Sequence, residues 1–96
     1  MLTSKQRAKL RSMANGLETI LQVGKSGVGD QLIKQVDDAL TARELIKLRT
    51  LETSPESSRE TAGILADATN SEVVQVMGSR ITLYRKNQKK PVIKLD

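Results

Sequence analysis

A mixed α/β domain built on a four-stranded sheet is what this sequence predicts, and three observations lead there. Apolar residues recur at helical spacing in three segments, four short stretches alternate or cluster as strands do, and glycine-bearing turns separate the two kinds. The order is α-β-α-β-α-β-β, in which two crossovers make the first three strands parallel and a hairpin adds an antiparallel fourth. At 96 residues the chain holds one core, so residues 1–96 are read as one domain.

The first helix opens at Thr3, which forms a T-x-x-Q capping box with Gln6. Leu10, Met13, Ala14 and Leu17 then fall at i, i+3, i+4 and i+7, and Gly16 is a stop signal. Lys5 and Lys9 lie on one side of this stripe and Arg7 and Arg11 on the other, so four cations are expected outward. Residues 18–23 read as a strand, ended by the turn Gly24-Lys25-Ser26-Gly27. Val28, Leu32, Val36, Ala39 and Leu40 form the stripe of a second helix that starts between Gly27 and Asp30, with Asp30 suited to its positive end. Residues 44–51 alternate, Ile46 and Leu48 against Lys47 and Arg49, which predicts a strand with one wet, basic face.

Ser54-Pro55 offers a cap and a first-turn proline for an acidic third helix reaching Asn70, with the stripe Ala62, Ile64, Leu65 and Ala68. Residues 73–77 and 80–86 read as strands joined by Gly78-Ser79, a glycine-first turn suited to type II′. Alternation in the second and fourth strands places most helix packing on one face. The basic segment 87–96 shows no periodicity and is expected to be loose.

Composition removes whole classes of function. With no cysteine and no histidine, disulfides, thiolate nucleophiles, imidazole bases and Cys/His zinc sites are excluded. Tyr84 is the only aromatic residue, so stacking several bases on an aromatic platform is excluded as well. No run approaches the length of a membrane helix and no segment reads as a leader, so a cytoplasmic protein with no membrane partner is expected. The net charge of +5 is unevenly spread. Residues 1–14 carry Lys5, Arg7, Lys9 and Arg11 and no acid, residues 52–72 are acidic, and residues 73–96 are strongly basic. Such segregation fits a polyanionic partner.

The Gly24–Gly27 turn follows a strand and precedes a helix, where backbone N–H groups and Lys25 can meet a phosphate. Topology should bring the Gly78-Ser79-Arg80 turn to the same end of the sheet. A nucleotide-binding P-loop is not the explanation, because Thr19 stands where its first glycine would be.

The segments VGKSGVGDQLIKQV, ALTARELIKLR and VVQVMGSRITLYRK, in this order, resemble the CRM domain (chloroplast RNA splicing and ribosome maturation) in its stand-alone bacterial, YhbY-like form. The resemblance covers essentially the whole chain. It implies an α/β fold similar to the C-terminal domain of translation initiation factor three. It further implies a non-catalytic RNA-binding protein, without cofactor, metal or small-molecule substrate, that associates with large ribosomal subunit precursors. By the same resemblance Gly24, Lys25, Ser26 and Gly27 contact RNA backbone, much as the KH loop does. Gly29 departs from the family, which often caps the following helix with Thr or Ser there. Alternation and charge add Lys47, Arg49, Arg80, Lys5, Arg7, Lys9 and Arg11 to the expected RNA surface, and a monomer is expected. The competing expectation is a protein-interaction adaptor whose acidic helix, from Glu56 to Asn70, docks a basic partner.

Overall fold

The computed structural model, which describes residues 2–95, has the elements α1 (Ser4–Ala14), β1 (Leu21–Val23), α2 (Asp30–Arg43), β2 (Leu45–Thr50), α3 (Ser58–Thr69), β3 (Glu72–Met77) and β4 (Arg80–Tyr84). This is the predicted order. The capping box at Thr3 forms as read: Thr3 Oγ1 accepts the Gln6 N–H at 3.1 Å and Gln6 Oε1 accepts the Thr3 N–H at 3.0 Å. Gly29 caps α2 without any side-chain hydrogen bond.

Several boundaries differ from expectation, and β4 ends at Tyr84 rather than at residue 86. The third helix starts after Ser57, because Ser57 and Glu60 form a reciprocal capping box, with both hydrogen bonds at 3.1 Å. Ser54 instead ends a turn, its N–H bonded to the Leu51 carbonyl at 3.0 Å. The buried face of α3 differs as well, with Ile64 and Ala68 exposed while Thr61 and Thr69 join Ala62 and Leu65 inside. The strand expected over 18–23 shortens to its last three residues, since Leu17 is drawn back to close α1 through its N–H bond to the Ala14 carbonyl at 3.0 Å. Glu44 ends α2 rather than beginning β2.

The sheet order is β1-β2-β4-β3. β1 and β2 are parallel, and β4 lies antiparallel between β2 and β3. Helices α2 and α3 bury Val36, Leu40, Ala62 and Leu65 against Ile46, Leu48, Ile81 and Leu83 on one face. The expectation of most helix packing on one face holds for these two. Helix α1 takes the other face, where Leu10 and Ala14 meet Leu45, Val74 and Tyr84. Val74 turns to that face because a bulge interrupts the register between Val73 and Gln75.

The segment after β4 has no regular structure, yet it is not loose. Glu44 is fully buried, with φ at 66°, a conformation that aims its carboxylate at this segment. Its oxygens accept the N–H groups of Asn87 at 2.6 Å, Val92 at 2.8 Å and Ile93 at 2.6 Å. Leu95 is tied to α1 through Gln6 at 2.9 Å, and Leu2, Ile93 and Leu95 pack on the α1 cluster. Asp96 lies outside the described residues. Burial by itself would push the Glu44 carboxyl up, but the N–H groups of Asn87, Ile93 and Val92 and the nearby charge of Lys86 outweigh it, holding the carboxyl below its ordinary value of 4.5. A carboxyl depressed in the folded state contributes stability that is complete above its unfolded pKa and is lost as pH falls through the folded one. Thermal melts should therefore fall steeply with pH below about 4.5. Glu44→Gln should lower stability at neutral pH by about 2 kcal/mol, flatten that acid loss, and speed amide exchange at Val92 and Ile93.

Candidate nucleic-acid interface

Val23, the last residue of β1, is buried, and its carbonyl accepts the Leu51 N–H at 2.9 Å, so the chain leaves the sheet at a defined point. The Gly27 N–H then bonds the Gly24 carbonyl at 3.0 Å and closes a tight turn with Lys25 and Ser26 at its corners. Both corner residues are exposed and have no hydrogen-bond or ion-pair partner among the described residues. The turn does not itself open the helix. Val28 and Gly29 intervene before α2 begins at Asp30.

The two glycines serve different ends. Gly27 has φ at 67°, and a Cβ there would lie 2.9 Å from Pro55 Cγ and 2.9 Å from Glu56 Oε1. Its missing side chain thus faces the segment before α3 rather than a ligand. A Cβ at Gly24 would meet only Leu51 and Thr53, at 3.8 and 3.9 Å. Gly24→Ala should melt within about 0.5 kcal/mol of the parent. Gly27→Val should lose roughly 1 kcal/mol or more from backbone strain alone, with the clash added.

The predicted convergence of turns is present. The Ser79 carbonyl accepts the Thr50 N–H at 2.8 Å, which seats the β3–β4 turn against the end of β2. Positive φ at Gly78 alone among the two turn residues fits type II′. Insertion of β4 beside β2 then has an effect that sequence reading did not reach. Gln22, Arg49, Arg80 and Met77 align in one row across all four strands, and all four are exposed. Arg49 and Arg80 are direct cross-strand neighbours with no carboxylate partner among the described residues. Like charges so placed repel, and an anion bridging them relieves the repulsion. A shallow depression lined by Asn15, Leu17, Glu18, Thr19, Lys47 and Arg80 extends this row beneath the end of α1.

The other expected cations divide. Lys47 is not a free cation of the wet face, because its Nζ donates to the carbonyls of Ala14 at 2.9 Å and Leu17 at 3.4 Å, satisfying the end of α1. Arg7 does not point outward either. It is half-buried, donates to the carbonyls of Val73 and Val74, and lies 3.7 Å from Glu72. Lys9 reaches the Lys94 carbonyl at 2.6 Å. Lys5 and Arg11 are exposed as expected. Lys5 stands in the first turn of α1, at the end away from the glycine turn, and Arg11 in the last. Of the expected cations, those gathered at one end of the sheet are therefore Lys25, Arg49 and Arg80.

Arg85, part of the segment that carries the family resemblance, is a brace. Its guanidinium donates to Asp37 Oδ1 at 2.5 Å, the Thr69 carbonyl at 2.8 Å and Thr41 Oγ1 at 2.8 Å, joining β4 to both α2 and α3. No group of acidic side chains able to hold a metal occurs among the described residues, and no described helix is long and apolar enough to cross a membrane.

Comparison with known proteins agrees with the fold. The family model of the CRS1 / YhbY (CRM) domain matches residues 2–85. The chain is 44% identical over 95 residues to "Probable RNA-binding protein YqeI" of Bacillus subtilis, covering 99% of each. It is 42% identical over 86 residues to "Probable RNA-binding protein MJ0652" of Methanocaldococcus jannaschii, covering 88% of this chain and 63% of that one. The solution structure of SAV1595 from Staphylococcus aureus superposes with a TM-score of 0.83 at 45% identity, covering all of both chains.

Proposed function

The chain belongs to the CRS1 / YhbY (CRM) domain family, and on that premise we propose that it is a non-catalytic RNA-binding protein of the cytoplasm that holds rRNA structure during assembly of the large ribosomal subunit. One observation carries the reading: the topology gathers Lys25, Arg49 and Arg80 at one end of the sheet, exposed and unengaged by any described residue. Guanidinium and ammonium groups so placed recognise phosphate, and the exposed corners of the Gly24–Gly27 turn add a hydroxyl and backbone to the same surface. The names of the Bacillus and Methanocaldococcus relatives support RNA as the polyanion. The adaptor reading draws no comparable support. Of the acids expected to form its docking face, Glu56 lies before α3 and Glu60 is turned back onto the Ser57 N–H in the capping box, so Asp67 and Glu60 share α3 with Arg59 and form no continuous acidic face.

Binding of structured RNA should depend strongly on salt and weakly on sequence. With roughly four to six phosphates neutralised, a fourfold rise in monovalent salt should weaken binding on the order of a hundredfold or more. Lys25→Ala, Arg49→Ala and Arg80→Ala should each weaken binding by about 1 kcal/mol, lower the salt slope by about one, and leave melting nearly unchanged. Lys34→Ala is the control, since Lys34 sits on α2 and is paired with Asp38 at 3.2 Å. It should change binding less. A salt-independent affinity, or three silent substitutions, would remove this surface from the RNA contact.

The assembly role has its own test. In gradient sedimentation of lysate from growing cells, the protein should travel with large-subunit precursors. Finding it only free, or spread equally over polysomes, counts against that role.

A further inference from the structure

At the end of the sheet away from the glycine turn, a cavity of 520 Å³ opens between the first turn of α1, the ends of β3 and β4 and the C-terminal segment. Its volume falls in the range of small-ligand sites, roughly 300–1,000 Å³. Its lining is mixed: Leu2, Ile93 and Leu95 are apolar, Tyr84, Lys86 and Lys94 bring a hydroxyl and two ammonium groups, and the carboxylate of Glu72 is engaged with Arg7 at 3.7 Å. The wall is held in place before any ligand arrives. Glu44 fixes Val92 and Ile93, Gln6 fixes Leu95, and Lys9 fixes the carbonyl of Lys94.

Tyr84 is only 5% exposed, and its hydroxyl has no hydrogen-bond partner among the described residues. A buried phenol ordinarily has one. Thr61 Oγ1 is the only described side-chain polar atom that is both sealed from solvent and unbonded, so the Tyr84 hydroxyl reaches solvent, and the cavity it lines is the opening. Burial and the charge of Glu44 raise the phenol's pKa, which keeps it a neutral donor. A ligand suited to this site has flat apolar faces, a hydrogen-bonding edge and an anionic group. A nucleotide has all three.

We propose that this cavity receives one unstacked nucleotide of the bound RNA, its base against Leu2, Ile93 and Leu95 with an edge acceptor on the Tyr84 hydroxyl, and its phosphate between Lys86 and Lys94. The proposal rests on the RNA-binding reading and adds a base-reading site to a surface that otherwise contacts backbone.

The test follows amide resonances while the full chain is titrated separately with the 5′-monophosphates of adenosine, guanosine, cytidine and uridine, with inorganic phosphate, and with a stem-loop RNA. At least one monophosphate should shift Tyr84, Ile93 and Leu95 at millimolar concentration, with a preference among bases. Tyr84→Phe should weaken that binding about three- to tenfold, the worth of one hydrogen bond. It should not lower the melting temperature, because the hydroxyl it removes is unbonded. Three results overturn the proposal: no shift with any monophosphate while RNA shifts Lys25 and Arg49, equal shifts with inorganic phosphate, or unaltered binding in Tyr84→Phe. The first leaves the RNA-binding reading standing. If RNA shifts neither end of the sheet, both readings fall together.

Discussion

The carboxylate of Glu44 decides how much of the second sheet face is covered. It sits fully buried at the junction of α2 and β2, in a backbone conformation that only a few per cent of non-glycine residues adopt. Three N–H groups of the C-terminal segment satisfy it, so the strain and the desolvation are offset mainly by charge-assisted hydrogen bonds, with the charge of Lys86 nearby. Once that segment is fastened, Ile93 and Leu95 complete the apolar cluster beneath α1, and α1 can lie over Leu45, Val74 and Tyr84. Without it α1 would bring only Leu10 and Ala14, a narrow stripe for an eleven-residue helix.

Coverage of one half of the face defines the other half by exclusion. Lys47 marks the border, its stem lying on the sheet and its ammonium group on the last carbonyls of α1. Beyond it Arg49 and Arg80 stand on bare sheet, next to the end of β1 and the glycine turn. Two guanidinium groups on directly opposed residues cost folding energy, though water screens most of it. Folding alone gives no reason for the pair. An anionic partner would give one, and on that proposal the binding surface and the packing surface are two parts of one face.

Much of this was legible in the sequence. The order of elements, the box at Thr3 and the meeting of the two glycine-bearing turns depend on local chemistry or on the handedness of crossovers, which short spacings carry. Most of the misreadings share a cause, dependence on a distant partner. Alternation assigns Lys47 to a face but cannot say that α1 ends there. The stripe of α1 places Arg7 beside the apolar residues without showing the carbonyls of Val73 and Val74. Glu44 looks like the first residue of an alternating strand, and the N–H groups it serves lie more than forty residues away. At α3 two local signals competed, and the reciprocal box of Ser57 and Glu60 prevailed over Ser54-Pro55 because it satisfies two orphan N–H groups instead of one. The row from Gln22 to Met77 required knowing that β4 enters between β2 and β3, which a hairpin signal does not reveal.

A count of basic residues overstates what is available to a partner. Arg7, Lys9, Lys34, Lys47 and Arg85 already donate to oxygens of the protein. For an anion to use Lys47 it would have to take the ammonium from the end of α1, and to use Arg85 it would have to loosen the joint between α2, α3 and β4. Lys25, Arg49 and Arg80 give up only water. The difference lies in the reference state: either kind of cation releases counter-ions condensed on the polyanion, but one already bonded within the fold must first give up those contacts, whereas a solvated one does not. Affinity for a polyanion should therefore follow the three free cations of the sheet end more closely than the net charge of the chain.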